Sequence, residues 1–293
     1  MKVAIIGAGN VGASIAALLI ARTKISKISL VDINKDLALG KTIDLNHLSA
    51  VFCADTKVKA SDDYEIIKNA DICVITAGFT RKEGQGREEL LKANAKIVAS
   101  AAKKIAKYAP KSVIIVVTNP LDPMTYVAQK ASGFAKQNVL GMAGELDSAR
   151  LRFEVAAYYG LRNSQVKAQI LGEHGEHMVL YDIQACGEKA DFDPEQILEN
   201  HAKKSGAHII SLLGTSAYYA PAAGVVKMCE AIIEKKGQTL ICSVLDEDDI
   251  PCGVPVKFGK KIKIKKTSAD LTYAKKVILA RCEGLDTIIQ EIE

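Results

Sequence analysis

The stretch Val3–Gly12, VAIIGAGNVG, decides the fold. Its first four residues form a short apolar run that is typical of a strand covered on both faces. Gly7, Gly9 and Gly12 follow with the spacing GxGxxG, and a helical pattern then covers Val11–Ala21. In this order the first glycine permits a tight turn, the second lets the backbone approach a pyrophosphate, and the third allows close helix packing. The stretch therefore predicts a dinucleotide cradle at the N-terminus of a helix.

An acidic residue at the end of the next predicted strand supports this interpretation. Asp32 follows the run SLV, 20 residues after Gly12. A carboxylate at that offset can accept a hydrogen bond from a ribose hydroxyl, and it would repel a 2′-phosphate. The pattern thus favours NAD over NADP as the cofactor. The glycine spacing alone also fits a tight turn that holds no ligand.

Beyond this motif, short β-branched runs alternate with helical patterns throughout the first half of the chain. Such runs indicate a parallel sheet covered by helices, with right-handed crossovers between the strands. The predicted strands are Val3–Ile6, Lys27–Val31, Asp71–Thr76 and Val113–Thr118. The predicted helices between them are Val11–Ala21, Asp36–Leu48 and Glu88–Tyr108. We therefore predict an α/β protein with a Rossmann-type doubly wound parallel sheet in an NAD-binding domain over residues 1–144.

The second half of the chain changes character, because its predicted strands are amphipathic and resemble antiparallel ones. The predicted elements are a strand at Val166–Leu171 and helices at Asp147–Tyr159, Ile197–Leu213, Val225–Lys235 and Ala269–Ile292. The stretch Lys260–Lys266, KKIKIKK, fits an edge strand protected by lysines better than a nucleic-acid patch, since no aromatic residues interleave with the lysines. These patterns predict an α+β catalytic domain over residues 145–293.

Composition limits the classes of function. Of the 293 residues, 48% are hydrophobic and 25% are charged, so the chain is globular and long enough for about two domains. The net charge of +5 is mild, and we expect neither a nucleic-acid nor a membrane partner. The apolar run over residues 3–21 is interrupted by glycines, which predicts neither a signal peptide nor a membrane helix. Seven scattered cysteines without a CxxC pair fit a cytoplasmic location better than a disulfide framework.

The stretch ILGEHGEHM, residues 170–178, is the richest in reactive groups. His174 lies between glycines and charged residues just beyond a predicted strand, where a core histidine would be unusual. An imidazole titrates near working pH and therefore suits proton transfer. His174 and His177 also suggest a metal pair, but the order HExxH is absent and no ligand cluster completes a site, so we predict no metal.

Two further stretches carry charges that suit a small anionic ligand. In ELDSARLR, Asp147 and Arg150 are three residues apart on one helical face, which fits either a functional site or a surface ion pair. In GFTRKEGQGR, residues 78–87, three basic residues lie among three glycines directly after a strand of the parallel sheet. That position is on the ligand side of the sheet, so the stretch is either an exposed basic loop or a hinged lid.

Taken together, these motifs resemble the lactate and malate dehydrogenase family over essentially the whole chain. The matching stretches are GAGNVG, VDIN, TAGFTRKEGQGREELLKANA, VTNPLDPMTYV, GMAGELDSARLR, LGEHG and GTSAYYAPAA. Within the family the chain is most similar to malate dehydrogenases of the lactate-dehydrogenase-like type. The resemblance implies reversible hydride transfer between (S)-malate and NAD, which gives oxaloacetate and NADH, with a small dicarboxylate as the substrate.

The resemblance also implies roles for individual residues. His174 would be the acid/base, Asp147 would be its carboxylate partner, and Arg87 would be a catalytic lid arginine near the reacting oxygen. The residues that would bind the substrate are Arg81, Arg87, Asn119, Arg150 and Ser216. The residues that would line the cofactor are Gly7, Gly9, Asn10, Val11, Gly12, Asp32, Gly78, Asn94, Val117 and Asn119.

Arg81 decides the expected substrate. In the family, a neutral side chain such as glutamine at this position goes with lactate, whereas arginine goes with a second carboxylate. Under a closed lid, the methyl group of pyruvate would leave a desolvated guanidinium unpaired, whereas oxaloacetate would pair it. Lactate or another 2-hydroxy acid is the alternative substrate, and an NAD-binding module without activity is a third interpretation.

Some residues depart from the family pattern. Glu145 precedes the LDSAR stretch, Glu83 replaces a frequent lid proline, and His177 follows Glu176 after the GEHG motif. These departures bear on the pH profile and on the lid more than on the reaction. The resemblance further implies a homodimer or a homotetramer.

Overall fold

The computed structural model describes residues 1–80, 87–185, 188–189 and 194–292. The strands of the first half are β1 (Lys2–Ile6), β2 (Lys27–Val31), β3 (Lys57–Ser61), β4 (Ile72–Ile75), β5 (Val113–Val116) and β6 (Val139–Gly141). The strands of the second half are β7 (Val166–Gly172), β8 (Met178–Ala185), β9 (Glu188–Lys189), β10 (Gln238–Leu245), β11 (Pro251–Phe258) and β12 (Ile262–Ile264). The helices are α1 (Asn10–Arg22), α2 (Lys35–Val51), α3 (Arg87–Tyr108), α4 (Leu121–Ser132), α5 (Gly144–Tyr158), α6 (Pro194–Ile197), α7 (Lys203–Leu213), α8 (Tyr219–Glu234), α9 (Thr272–Cys282) and α10 (Leu285–Glu291).

The first six strands pair in parallel in the order β3-β2-β1-β4-β5-β6. All four residues of β4 are buried, as are the last four of β1, which is the burial expected of strands with helices on both faces. This strand order is that of a dinucleotide-binding sheet, and it confirms the predicted doubly wound fold.

The second half adds antiparallel strands to the same sheet. β10 pairs with β11 along its whole length, β7 pairs with β8, and β10 joins β6 where Ser243 lies opposite Gly141. β12 pairs with β11 in antiparallel fashion off the main strand path, so the lysine-rich segment forms the strand that the alternation predicts. The second half is therefore α+β, as predicted.

In the part of the chain that the structure describes, two hydrophobic cores hold these elements together. The larger core fills the parallel sheet and extends onto α8, β10 and β11. A smaller one lies between α5, β7 and the segment around Ile197, with Leu151, Val155 and Ile170 among its fully buried members. No described helix is both long enough and apolar enough to cross a membrane.

Several elements differ from the sequence-based expectations. The predicted single helix over Ala269–Ile292 was wrong, because Gly284 adopts φ +76° and separates α9 from α10. The predicted helix over Ile197–Leu213 contains a π-helical turn at Leu198–Ala202 before α7 begins. The sequence patterns do not predict β3, β6 or α4. β3 is a lysine-containing edge strand, β6 has three residues, and the start of α4 is obscured by prolines that only a first helical turn tolerates.

Candidate active site

Two of the three motif glycines are required by packing. Gly7 has φ +108°, and a Cβ on it would lie 2.6 Å from Oγ1 of Thr76 and 2.8 Å from the backbone N of Ala77. A Cβ on Gly12 would lie 1.9 Å from the carbonyl oxygen of Gly7, so only glycine lets α1 approach the turn this closely. The tight strand-to-helix turn after β1 therefore depends on both glycines.

Gly9 is different, because its missing side chain faces open space. No heavy atom lies within 4 Å of the position that a Cβ on Gly9 would occupy. Gly9 is also the N-cap of α1, and no side chain caps this helix end. The first backbone N–H groups of α1, beginning at Asn10 and Val11, thus border a gap suited to a phosphate. These features fit the pyrophosphate of a dinucleotide.

The carboxylate of Asp32 is held by backbone donors of the same region. Its Oδ2 accepts a hydrogen bond from the N–H of Ala8 at 2.6 Å, and its Oδ1 accepts one from the N–H of Asn34 at 2.9 Å. Asp32 follows β2 directly and is partly exposed. Each carboxylate oxygen has two lone pairs, so acceptor capacity is left for a ribose hydroxyl. Asp32 therefore fixes the glycine-rich turn as well as facing the cradle.

Asn94 connects the two loops that follow β4 and β5. Its fully buried amide donates to the carbonyl of Phe79 at 3.1 Å and to that of Asn119 at 2.7 Å, and its Oδ1 accepts the N–H of Phe79 at 2.8 Å. A Cβ on Gly78 would lie 2.5 Å from Cγ2 of Thr118, which explains the glycine there. Val117 and the exposed Asn119 thus reach the carboxyl edge of the sheet, where a ligand of this fold binds.

The second half of the chain contributes an imidazole paired with a carboxylate. His174 lies in the turn after β7, and Asp147 lies in the first turn of α5. Nδ1 of His174 is 2.8 Å from Oδ2 of Asp147, which is only 2% exposed. Because an ionised carboxylate can only accept, Nδ1 carries the proton and Nε2 is left for a ligand.

The electrostatic surroundings of His174 favour its protonated form. Burial alone would lower the pKa of the imidazole, but the charge of Asp147, its hydrogen bond and the charge of Asp122 outweigh that effect against a smaller opposing influence of Arg150. The pKa of His174 is therefore raised above its ordinary value of 6.5. An imidazole with this environment can take up and return a proton near neutral pH.

Arg150 shares the carboxylate of Asp147. Its Nη1 is 3.3 Å from Oδ1 of Asp147, one helical turn along α5, and its side chain is 18% exposed. Only one guanidinium nitrogen makes this described contact, so the remaining donors of the planar fork are available for a bidentate bond to a carboxylate. Gly206 of α7 faces the guanidinium, since a Cβ there would lie 3.5 Å from Nη2.

Sequence reasoning missed two buried carboxylates beside His174. Asp122 of α4 accepts the backbone N–H of His174 on Oδ2 at 2.8 Å, and Glu173 forms an ion pair with Arg281 of α9. Asp122 lies in the quoted stretch VTNPLDPMTYV and Glu173 in LGEHG, so both motifs were found without these roles. The bond to Asp122 places the turn of His174 beside the loop after β5, and hence at the ligand edge of the sheet.

The remaining predicted residues are placed as follows. Arg81 lies outside the described residues, as does Glu83. Arg87 is the first residue of α3, and its side chain is also outside the described part. Ser216 is half-buried in the loop between α7 and α8, and no described hydrogen bond joins it to His174.

The residues that depart from the family pattern have structural partners. Glu145 accepts from Lys227 at 2.5 Å and from the backbone N–H of Ile241 at 3.1 Å, which ties α5 to α8 and β10. His177 packs edge-on against Tyr273 at 4.9 Å between ring centroids, and Glu176 is exposed. Among the described residues no cluster of three or more His, Cys, Asp or Glu side chains could hold a metal ion.

His174 supplies an imidazole that can transfer a proton, and Arg150 supplies a guanidinium that shares the carboxylate of Asp147. Together with the nucleotide cradle at the start of α1, these groups are the parts needed to oxidise a hydroxy acid. Removal of a hydride requires the cofactor, and removal of the hydroxyl proton requires a base. The fold and the site thus define an NAD-dependent oxidoreductase.

Comparison with known proteins narrows this class. Residues 1–141 match the NAD binding domain of lactate/malate dehydrogenase, and residues 144–282 match the alpha/beta C-terminal domain of the same family. A malate dehydrogenase from Nitratiruptor sp. is 43% identical over 270 residues, which are 88% of this chain and 85% of that protein. The chain belongs to the lactate/malate dehydrogenase family.

Solved structures agree with this assignment. The malate dehydrogenase of Archaeoglobus fulgidus in complex with NADH has a TM-score of 0.90 and 34% identity, covering 98% of this chain and 100% of that one. A lactate dehydrogenase from a Medee basin deep-sea metagenome library has a TM-score of 0.89 and 30% identity, covering 97% of this chain and 98% of that one. Because both kinds of enzyme superpose this well, the fold alone does not select the substrate.

Proposed function

We propose that this protein is an NAD-dependent malate dehydrogenase that interconverts (S)-malate and oxaloacetate. The observation that carries the proposal is the carboxylate of Asp147, which contacts both Nδ1 of His174 and the guanidinium of Arg150. That arrangement holds a base and a carboxylate receptor at the two oxygens of one carboxylate. The malate dehydrogenases among its relatives, and the arginine at position 81, favour a dicarboxylate.

The proton-transfer step follows from the His174 and Asp147 pair. In malate oxidation, the C2–H bond breaks with both electrons leaving as hydride, and the hydroxyl proton passes to Nε2 of His174. NAD, when bound, supplies the hydride acceptor. Asp147 keeps the proton on Nδ1 and stabilises the imidazolium that forms, the role a buried carboxylate plays in hydrolase triads. In the reverse direction, the protonated ring returns its proton to the carbonyl oxygen of oxaloacetate.

Substrate binding rests on three arginines. Arg150 would grip the carboxylate next to the reacting carbon with two parallel N–H bonds, and Asn119 would contact it from the cofactor side. Arg87 would polarise the ketone as negative charge develops on its oxygen, an effect of about 3 kcal/mol in comparable sites. Arg81 would neutralise the distal carboxylate, and Ser216 would help to close the pocket.

The cofactor site is proposed at the carboxyl ends of β1, β2, β4 and β5. The N–H groups at the start of α1 would bind the pyrophosphate, and Asp32 would accept from the ribose. The proposed lining is Gly7, Gly9, Asn10, Val11, Gly12, Asp32, Gly78, Asn94, Val117 and Asn119. The open space at Gly9 and the uncapped α1 support this placement.

Steady-state reduction of oxaloacetate and of pyruvate by NADH tests the proposed substrate. We expect kcat/KM for oxaloacetate to exceed that for pyruvate by about 10²-fold or more, because a charged group left unpaired in the site penalises pyruvate. A preference for pyruvate would overturn the proposal in favour of a lactate dehydrogenase. NADPH in place of NADH serves as the cofactor control and is expected to be the poorer substrate.

Three further features are proposed. The domains divide at residues 144 and 145, close to the gap between the two family matches.

The chain forms a homodimer or homotetramer, for which exposed apolar residues on α2 and α7, including Leu39, Ile43 and Leu212, offer contact surface. The enzyme acts in the reducing cytoplasm, since five of its described cysteines are buried as free thiols.

A further inference from the structure

Asp122 is a buried carboxylate that directly contacts the backbone of the catalytic histidine. It lies in the first turn of α4 and is 3% exposed. Its Oδ2 accepts the N–H of His174 at 2.8 Å, and its Oδ1 accepts the hydroxyl of Ser243 on β10 at 2.6 Å. Ser243 is itself fully buried. A buried carboxylate that accepts two such bonds is fixed in place on both sides.

The location of Asp122 joins the two halves of the site. It is three residues after Asn119, whose carbonyl accepts from Asn94. The same short segment is therefore linked to the loop after β4 through Asn94 of α3, and it contacts the turn of His174 directly. Any shift of this segment would change the distance between the proposed cofactor site and the imidazole of His174. Hydride transfer and proton transfer are both sensitive to that distance.

Asp122 also acts on His174 through its charge. Its negative charge adds to that of Asp147 in raising the pKa of the imidazole. Burial raises the pKa of Asp122 to about 6, although the bonds from Ser243 and His174 oppose that effect. The carboxylate is therefore mostly ionised at neutral pH, and its burial costs stability that a neutral side chain would not cost.

Several elements of the described structure place titratable groups around Asp122 and His174. The negative charge of Glu173 acts to raise the pKa of Asp122. The charge of Asp122 acts in turn to raise the pKa of the thiols of Cys252 on β11 and Cys282 on α9. The burial of both thiols raises their pKa to about 12, so they stay neutral near pH 7. The groups that face His174 are Asp147, Asp122 and Arg150. The ion pair of Glu173 with Arg281 lies immediately beside it.

We propose that Asp122 is a positioning residue for the reaction. It holds the backbone of His174 in a fixed position relative to the loop after β5, and its negative charge adds to that of Asp147 in stabilising the imidazolium. This inference rests on the acid/base role proposed for His174, and it holds whether the hydroxy acid is malate or lactate. The proposed role explains why a charged residue is present at a buried position where an apolar side chain would cost less stability.

Two substitutions separate the charge of Asp122 from its hydrogen bonds. In Asp122→Asn, the side-chain oxygen can still accept from His174, and the hydroxyl of Ser243 can rotate to accept from the new amide. This variant therefore removes the charge and keeps the bonds. Asp122→Ala removes both. Asp286→Asn is the matched control, because Asp286 accepts from Tyr126 of the same helix α4 and does not contact the turn of His174.

The readout is the titration of His174, followed by NMR on histidine-labelled protein and assigned with His174→Asn. We expect Asp122→Asn to lower the pKa of His174 by about 0.5 pH unit or more, and to lower kcat about tenfold with KM for NADH unchanged. Asp122→Ala should lower kcat further, so that the asparagine variant is a partial rescue. Asp286→Asn should leave both quantities as in the wild type.

An unchanged titration of His174 together with an unchanged kcat in Asp122→Asn would overturn the inference. If neither Asp122 variant folds, Ser243→Ala decides, because it removes one donor and lets the carboxylate take a proton at higher pH. A pH profile that superimposes on the wild type would then refute the positioning role. The NMR titration needs no substrate, so it separates this inference from the choice between oxaloacetate and pyruvate.

Discussion

Arg281 of α9 forms an ion pair with Glu173, the residue immediately before His174. The carboxylate of Glu173 is almost fully buried, and its second oxygen accepts the backbone N–H of His177 at 3.2 Å. Helix α9 thereby holds both ends of the turn that presents the imidazole of His174. The stability of this turn should depend on a residue more than 100 positions away in the chain.

Arg281→Met removes the charge but keeps much of the apolar stem. It leaves Glu173 buried without its cationic partner, which we expect to lower the free energy of unfolding by about 2–3 kcal/mol, less than for a fully buried pair because Arg281 is partly exposed. Urea unfolding measures this quantity. Arg22→Met breaks the exposed pair of Arg22 with Glu230 and should cost about 1 kcal/mol or less. Equal losses in the two variants would contradict the structural role of Arg281.

Asp147→Asn should abolish most activity without loss of cofactor binding. The amide cannot stabilise an imidazolium, and it can impose the wrong tautomer on His174, an effect worth about 10³–10⁴-fold in kcat in comparable sites. Steady-state kinetics give the loss, and NADH fluorescence titration provides the binding control. A variant with more than a tenth of wild-type kcat would show that the pair is structural only.

The pH dependence of the two directions should be opposite. Oxidation needs neutral His174, so kcat/KM for malate should rise with pH through the pKa of the free enzyme, which lies above 6.5. Reduction needs the protonated ring, so kcat/KM for oxaloacetate should fall through the same midpoint. The raised pKa also means that the charged ring stabilises the folded chain below pH of about 6.5, and that this contribution is lost as pH rises through the folded-state value. Midpoints below 6.5 in both directions would contradict the raised pKa.

The parts of the site that could be predicted from sequence are those encoded in contiguous motifs. The glycine spacing, Asp32 and His174 are each visible in a stretch of a few residues, because a turn or a strand end fixes their relative positions. The pairing of His174 with Asp147, implied by the family resemblance, is present in the structure.

The contacts that could not be predicted join distant segments. Asp122 and His174 are 52 residues apart, and Glu173 and Arg281 are 108 apart. Local periodicity contains no information on which helix packs against a given turn, so these buried carboxylates look like ordinary polar residues in the sequence. The same reason explains β6, whose three residues are a strand only because β5 and β10 lie beside them.

Arg81→Gln tests specificity at a position that only the sequence defines. We expect kcat/KM for oxaloacetate to fall by about 10²-fold or more, because the distal carboxylate loses its cationic partner, while affinity for NADH stays unchanged. Paired kinetics with oxaloacetate and pyruvate measure the effect. Lys82→Gln, a neighbouring charge removal, is the control and should change both substrates little. An unchanged kcat/KM for oxaloacetate in the Arg81 variant would remove the basis for a dicarboxylate.

Gly9→Ala and Gly12→Ala separate cofactor binding from folding within one motif. A Cβ on Gly9 meets no atom of the protein and φ is −66°, so we expect Gly9→Ala to fold with nearly wild-type stability. The new methyl group would occupy the gap assigned to the pyrophosphate, and affinity for NADH should fall at least about tenfold. In Gly12→Ala the Cβ would lie 1.9 Å from the carbonyl of Gly7, so that variant should lose stability as well. NADH titration and thermal unfolding measure the two effects, and full NADH affinity in Gly9→Ala would mean that the dinucleotide does not bind at the start of α1.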